Sequence, residues 1–503
     1  MRRWLCVFSL LLLLTAVLPA QAAPQHVDTW YEIFPRSFRD SDGDGIGDLR
    51  GVTEKLGYIR GMGYTAIWLM PVMESPSYHK YDVTDYLAID EEYGTMEDLR
   101  ELTDACHAAD MRLILDLPIN HTSTQHPWFI AACDALREGR TEDPSLDRYV
   151  FRQQAGSAMA QLEKTGWYYE EQFAGGGMPD LNLDSEAVRA EITAILDFYL
   201  RDVGVDGFRL DAVTSYYAGD KEKNIAFLAW LKETCETLKP GSFLVGECWK
   251  GLGDIADYYA SGVDAFFLFP VSQAEGSICQ TLRARKPGAA FVTMMDKLYA
   301  ALPDRLWAPF LANHDTGRAI GSLQARQNLP KAKFAEAVLQ LMGGASFTYY
   351  GEEIGMVGAG ADPNKRLPIL WGDGTETELP PGTDRVEYAY PSVAEQEADP
   401  ASLLNYCHRI NALRAEHPEI AAGANRWIVT EDFAVVFERS TAEGACLVAM
   451  NFSPKQEQTV TLTGLYTVTG EAETGGETVR TLQREGKTLL SLPPYAVCVL
   501  RAE

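Results

Sequence analysis

Eight short segments of this chain are almost continuously apolar, and they constrain its fold more than any other feature. They are TWYEIFP (29–35), TAIWLMP (65–71), MRLILDL (111–117), GFRLD (207–211), SFLVGE (242–247), DAFFLF (264–269), PFLANHD (309–315) and SFTYYGE (346–352). A strand without the alternation of a half-wet sheet has to be covered on both faces, as the strands of a parallel sheet are. Amphipathic segments run between them. From Ser185 to Val203, for example, Ile192, Ile195, Leu196, Tyr199, Leu200 and Val203 recur at helical spacing, with Asp184 placed to cap the start and Gly204 to stop it. Strands and helices in this alternation predict an α/β chain folded as a (β/α)8 TIM barrel, with its chemistry on loops at the C-terminal strand ends. An open, doubly wound sheet is the competing reading of the same pattern.

The spacing is uneven in one place. About 90 residues separate the third strand from the fourth, far more than one helix needs, and that stretch carries Trp128, Trp167, Tyr168, Tyr169 and the run Gly175 to Gly177. An inserted domain after strand 3 is expected over 121–182, leaving 23–120 and 183–421 to the barrel. Beyond this, WIVTEDFAVVFER, ACLVAMNF, TVTL and PYAVCVL alternate or are β-branched between turns, which predicts a C-terminal antiparallel β-sandwich over 422–503. Trp427 and Tyr466 in that domain read as packing residues.

Residues 1–22 have the form of a secretory signal: Arg2 and Arg3 form a basic head, Leu10 to Leu14 an apolar centre, and Ala20-Gln21-Ala22 a small-residue cleavage site. The expectation is a secreted, extracellular and soluble body, with no membrane association once the signal is removed, acting as a monomer. The formal charge is −27, so the body without Arg2 and Arg3 carries −29, which argues against a nucleic-acid partner and suits a neutral substrate. Cys6 leaves with the signal. The other eight cysteines are scattered and show no C-x-x-C pair, so neither a zinc site nor a disulfide framework follows.

Several barrel strands end in a single acid: Asp116, Asp211, Glu247 and Asp315. Each alone reads as a helix cap or a loop carboxylate. Gathered in one partly desolvated mouth, some would titrate high and others stay ionised, as acid–base and nucleophilic work on a glycosidic bond requires. Arg209 lies two positions before Asp211, on the same strand face, where its guanidinium would hold that carboxylate ionised. Asn120-His121 and Asn313-His314 stand beside two of these acids as neutral donors suited to sugar hydroxyls.

A fifth acidic feature is DSDGDGIGD, residues 40–48. Asp40, Asp42, Asp44, the Ile46 carbonyl and Asp48 match the first nine positions of a calcium-binding loop, with Gly45 at the sharp turn. The twelfth position is Gly51 rather than glutamate, and a strand rather than a helix precedes the loop. From pattern alone two readings stand, a bound cation or an acidic turn in which Asp48 caps the next helix.

In order along the chain, DLPINHT, DGFRLDAV, VGECW and FLANHD look like the four signature regions of the α-amylase family, glycoside hydrolase family thirteen. GYTAIWLMP, MPDLN (Met178 to Asn182) and YYGEEIG resemble three further motifs of that family, MPDLN in a form between its oligo-1,6-glucosidase and neopullulanase versions. The resemblance implies a retaining glycosidase with Asp211 as nucleophile, Glu247 as acid and base, and Asp315 as stabiliser of the transition state. It also implies that Arg209 orients the nucleophile, that Tyr81, His121 and His314 bind the sugar at the cleavage point, and that Asp116 supports Arg209. It favours a structural Ca2+ at residues 40–48. Many relatives hold another calcium through the residue matching Asn120, whose partners here are not evident. Ala212 resembles enzymes cutting α-1,4 bonds in starch or maltooligosaccharides. However, Thr214 and Ser215 stand where amylases often carry lysine and histidine, which keeps α-glucosidase, cyclomaltodextrinase and 4-α-glucanotransferase open. A non-catalytic glucan-binding relative would be expected to lose one of the three carboxylates, and all three are present.

Overall fold

The structure, a computed structural model, describes residues 27–472 and 474–503. The segment read as a signal, residues 1–22, lies outside the described residues. Among these, no helix is long and apolar enough to cross a membrane.

Seven of the eight apolar segments form one parallel sheet. In spatial order its strands are Ala265–Phe266, Phe243–Gly246, Gly207–Leu210, Arg112–Leu117, Ala66–Leu69, Trp30–Ile33 and Phe347–Tyr349. The remaining segment, 309–315, forms no full strand. Single parallel bridges, Phe267 with Ala308 and Phe310 with Phe347, join the two ends of the sheet and complete the barrel.

Parity along these strands explains both the core and the site. Trp30, Trp68, Ile114, Phe243, Val245, Phe267 and Phe347 point inward and fill the barrel, the Trp30 ring stacking on Phe243 at 4.9 Å and on Phe347 at 5.3 Å. Their neighbours Tyr31, Ile67, Leu113, Leu115 and Leu244 point outward into the layer beneath the helices. Moving two residues further along the inward face replaces hydrocarbon by charge: Trp30 gives way to Glu32, Ile114 to Asp116 and Val245 to Glu247. The strand Gly207–Leu210 begins against its neighbour so closely that a Cβ on Gly207 would lie 1.8 Å from the Phe243 carbonyl oxygen, and Gly207 itself has φ +145°. Only glycine fits there.

The helix predicted from Ser185 runs as Glu186–Asp197 and continues as a wider turn, Phe198–Val203, to Gly204 at φ 93°. Its cap is Ser185, whose side chain accepts from Val188 N, and not Asp184, which instead binds the Tyr217 hydroxyl and Lys223. Between the third and fourth barrel strands lies a small antiparallel sheet of Phe151–Arg152, Met159–Leu162 and Trp167–Glu170.

The chain ends in two antiparallel sheets of five and three strands. Ala434, Val436, Leu447, Ala449, Leu490, Leu492 and Leu500 pack between them. The alternate residues Val435, Phe437, Val448, Met450 and Val499 face the barrel. Trp427 packs edge-on against Phe437 and donates to Asp296 Oδ1 at 2.7 Å, so it serves the seam between the sheets and helix Gly288–Ala301. All eight cysteines among the described residues are buried and unpaired.

Candidate active site

The inward-facing charges meet at the barrel mouth around Arg209, which is fully buried. Its Nη1 donates to Asp116 at 2.9 and 3.1 Å and to Asp211 Oδ1 at 2.5 Å, and its Nη2 forms an ion pair with Glu247 Oε2 at 3.0 Å. One guanidinium thus holds three carboxylates from three adjacent strands. Parallel register puts Asp116 directly opposite Arg209, which is why the pair forms.

A strained turn follows the fourth strand. Ala212 has φ 44°, a left-handed conformation that a residue with a Cβ seldom adopts, and its N–H donates to Glu247 Oε2 at 2.9 Å. The turn thereby aims a backbone donor at the glutamate directly beside Asp211.

On the opposite side, His314 lies between Glu32, 2.6 Å from Nδ1, and Asp315, 3.0 Å from Nε2. The sequence suggested a neutral donor here. Burial alone would lower the ring's pKa, but the charges of Asp315 and Glu32 outweigh it and raise the value to about 10, so His314 is an imidazolium at neutral pH. Tyr81 stacks on its ring at 5.6 Å, its hydroxyl donating to Asp116 Oδ2 at 2.9 Å and lying 2.7 Å from His314 Nε2.

The carboxylates therefore differ in proton affinity. Desolvation, with added repulsion from Asp211 and Asp315, raises Glu247 to about 7 despite Arg209. Desolvation raises Asp116 to about 6, against the pull of Arg209. For Asp315, desolvation works upward, but the His314 charge, a hydrogen bond from His314 and the Arg366 charge hold it below the usual carboxylate range. Desolvation lowers His121, so this ring is neutral at pH 7; its Nε2 lies 3.2 Å from the Tyr81 carbonyl oxygen.

Asp211, Glu247 and Asp315 open with Tyr81 and His121 onto a cavity of about 450 Å³, whereas Arg209, Asp116 and His314 stand behind that surface. Several lining residues escaped the sequence reading. His79 precedes Tyr81 by two positions, and Asp362 and Arg366 follow the eighth strand. Arg366 Nη2 lies 3.3 Å from Asp315 Oδ1 and 3.1 Å from Asp362 Oδ1. Phe173, Met178 and Trp249 add apolar surface, with Trp249 45% exposed and stacked on Phe269 at 4.5 Å. Thr214 and Ser215 line the same cavity. Glu32 was also overlooked; its signal was a lone acid inside an apolar strand.

Neither asparagine faces the cavity. Asn313 Oδ1 accepts from Asp315 N and Thr316 N, and Asn120 Nδ2 donates to Asp180 Oδ1 at 3.1 Å. Asp180, in MPDLN, is thus the neighbour of Asn120 that the sequence left unassigned.

The acidic loop lies apart from this cavity. Ligand oxygens of Asp40, Asp42 and Asp44 come within 4.8 Å of one another. The loop's own amides organise them: Asp40 accepts from Asp42 N, Gly43 N and Gly45 N, Asp42 from Asp44 N, and Asp44 from Ile46 N. Asp48 stands outside the trio, accepting from Gly51 N at 2.7 Å as the cap of helix Leu49–Glu54 and from Ser41 N and Oγ, each at 2.9 Å.

Acids of unequal proton affinity around one cavity, beside a buried arginine at the mouth of a parallel barrel, suit displacement at an acetal carbon, and the class so defined is the glycoside hydrolases. The comparisons agree: the family described as "Alpha amylase, catalytic domain" matches residues 32–423, and the chain belongs to the α-amylase family. It is 35% identical to "Alpha-amylase 3" of Dictyoglomus thermophilum, with 81% of each protein covered. It is also 30% identical to "Glucan 1,6-alpha-glucosidase" of Streptococcus pneumoniae, over 86% of this chain and 92% of that one. Among solved structures, "Eubacterium rectale Amy13B" superposes with a TM-score of 0.89 at 38% identity, covering 95% of this chain and 96% of that chain.

Proposed function

We propose that this glycosidase hydrolyses α-1,4-glucosidic bonds of starch or maltooligosaccharides with retention of configuration, as an exported monomer. The observation that carries the mechanism is the sharing of Arg209 by Asp211 and Glu247. A common guanidinium keeps the two carboxyl groups close, as double displacement needs, where an inverting pair stands wider apart to admit water. Asp211 attacks the anomeric carbon as the bond to the glycosidic oxygen breaks, and Glu247 gives that oxygen its proton. Water then attacks the glycosyl ester, Glu247 takes the water's proton, and the bond to Asp211 breaks. With a pKa of about 7, Glu247 suits both steps at neutral pH.

Asp315, held ionised by His314 and Arg366, stabilises positive charge developing on the sugar ring. Tyr81 and His121 contact the sugar at the cleavage point. Asp116, Arg209 and His314 hold the reacting groups in place from behind.

Ala212 beside the nucleophile favours the α-1,4 linkage. The second reading is exo-action on α-1,6 bonds, or transfer to a sugar acceptor; it draws on the Streptococcus relative's name and on Thr214 and Ser215 in the cavity wall. A product profile on starch, maltotriose, isomaltose, pullulan and cyclodextrin separates them. Reducing ends released from starch and maltotriose support the first reading, and turnover of isomaltose alone, or elongation of maltotriose, overturns it.

A structural Ca2+ is proposed at Asp40, Asp42 and Asp44, with the Ile46 carbonyl alongside; Asp48, expected from the sequence as a further ligand, is instead committed to capping helix Leu49–Glu54 and to Ser41. The fit rests on the convergence of three carboxylates in an all-oxygen donor set, which a hard cation matches.

A further inference from the structure

At the seam between the barrel and the C-terminal sheets, far along the chain from the catalytic acids, a second group of ligand-type atoms converges. His417 follows helix Leu403–Glu416, Glu419 opens the short helix Glu419–Ala422, and Cys446 lies on strand Ala445–Asn451. All three are buried, and their ligand atoms lie within 4.8 Å of one another. His417 Nδ1 is 3.6 Å from Glu419 Oε1. That is close to the edge of a tetrahedron around an ion with bonds of about 2.0–2.2 Å.

The surroundings resemble those of a ligating histidine. His417 Nε2 lies 3.1 Å from Thr469 Oγ1, and Nδ1 accepts from Arg501 Nη2 at 3.1 Å, so the Nδ1 lone pair faces the cluster. Glu419 is buried and its Oε1 is shared: Arg501 Nη2 forms an ion pair with it at 2.7 Å, and the Cys446 thiol and the His417 ring both turn toward the same carboxylate. A cation therefore already sits in this concavity: the tip of Arg501, on a side chain 39% exposed, entering from the last strand, Val497–Ala502.

We propose that His417 Nδ1, the Glu419 carboxylate and the Cys446 thiolate form a site for a transition-metal ion of zinc's class, gated by Arg501. A mixed nitrogen, oxygen and sulfur set selects such an ion over calcium or magnesium. On binding, the Cys446 S–H bond ionises, its proton passes to solvent and Arg501 swings outward. The Glu419–Arg501 pair is neutral, and so are Glu419 and a thiolate with a dication, so the exchange leaves the seam's net charge unchanged. Burial and the neighbouring Glu419 hold the proton on the Cys446 thiol, so its ionisation has to be driven by the arriving dication; Arg439, opposite Cys446 in the ladder and donating to the Tyr299 hydroxyl at 2.8 Å, offsets them only in small part. The bound ion would staple the end of the barrel to the C-terminal sheet.

Cobalt(II) is the probe, titrated into chelator-treated full-length protein with excess Ca2+ to saturate carboxylate sites. One equivalent should bind with a sulfur-to-cobalt charge-transfer band that Zn2+ abolishes. Cys446→Ser should remove the band, and Cys407→Ser should retain it. His417→Gln should weaken binding at least about tenfold, and Arg501→Gln, which removes the competing cation, should tighten it by a similar factor. A wild-type protein without the band, or a band that survives Cys446→Ser in a variant melting like the wild type, overturns the proposal.

Discussion

The barrel mouth and the loop at residues 40–48 both concentrate aspartates, yet the structure uses them in opposite ways. In the mouth, each carboxylate comes from a different strand and, beyond the Arg209 that three of them share, meets different neighbours, so proton affinities diverge: Glu247 rises to about 7 while Asp315 falls. In the loop, alternate residues of one short segment share one environment, largely exposed, with backbone amides as partners. Separation along the chain creates chemical difference, and closeness along the chain creates a common ligand set. A local motif can therefore hold an ion, whereas acid–base division of labour needs tertiary structure.

Four experiments test that contrast, beginning with the largest effect. Asp211→Asn should lower kcat by at least about 10⁴-fold on maltooligosaccharides while leaving calcium-dependent melting unchanged; substantial residual turnover would remove Asp211 from its role. Arg209→Met leaves several buried carboxylates without their cation, so it should cost about 3–5 kcal/mol in a denaturant titration, as well as activity. An unchanged midpoint would show that the carboxylates do not depend on the guanidinium.

The third experiment is a pH profile. Glu247 must carry a proton in the first step, and its folded value of about 7 means that activity should fall with rising pH through that region, approaching tenfold per unit above it. A decline that begins only well above pH 8 would argue against the raised value. The smallest effect concerns the loop: Asp42→Ala, or chelation, should lower the melting temperature by a few degrees, with little change in kcat at 25 °C for folded protein. If calcium leaves the melting temperature of both proteins unaltered, the loop is an acidic turn and the contrast fails.

Much of the barrel was legible because strands covered on both faces leave uninterrupted apolar runs, and parity then assigns each residue to the inside or the outside. The four strand-end acids and Arg209 were legible for the same reason, since strand ends are where inward-facing hydrocarbon stops. What was hidden depends on partners distant in sequence. The charge on His314 comes partly from Glu32, 282 residues away, and no local pattern couples FLANHD to TWYEIF. Asp362 opens a single 3-10 turn, Asp362–Lys365, and Arg366 caps it, a segment too short to show periodicity. The Ser185 cap was missed because two capping residues stand side by side, and only the contact with Lys223 decides which one faces outward.

The weak seventh position of the barrel has a further consequence. Backbone pairing at 308–310 amounts to two single bridges, and Asp315 lies only five residues beyond them. Its place is set less by the sheet than by His314, which spans from Asp315 to Glu32 on the first strand. Charge thus takes over from the backbone ladder as the fastener on that flank, and its strength depends on solvent composition as no ladder does. Above about pH 10, where His314 loses its proton, that flank should loosen first, and amide exchange around 308–315 should quicken before the seven strands of the sheet respond.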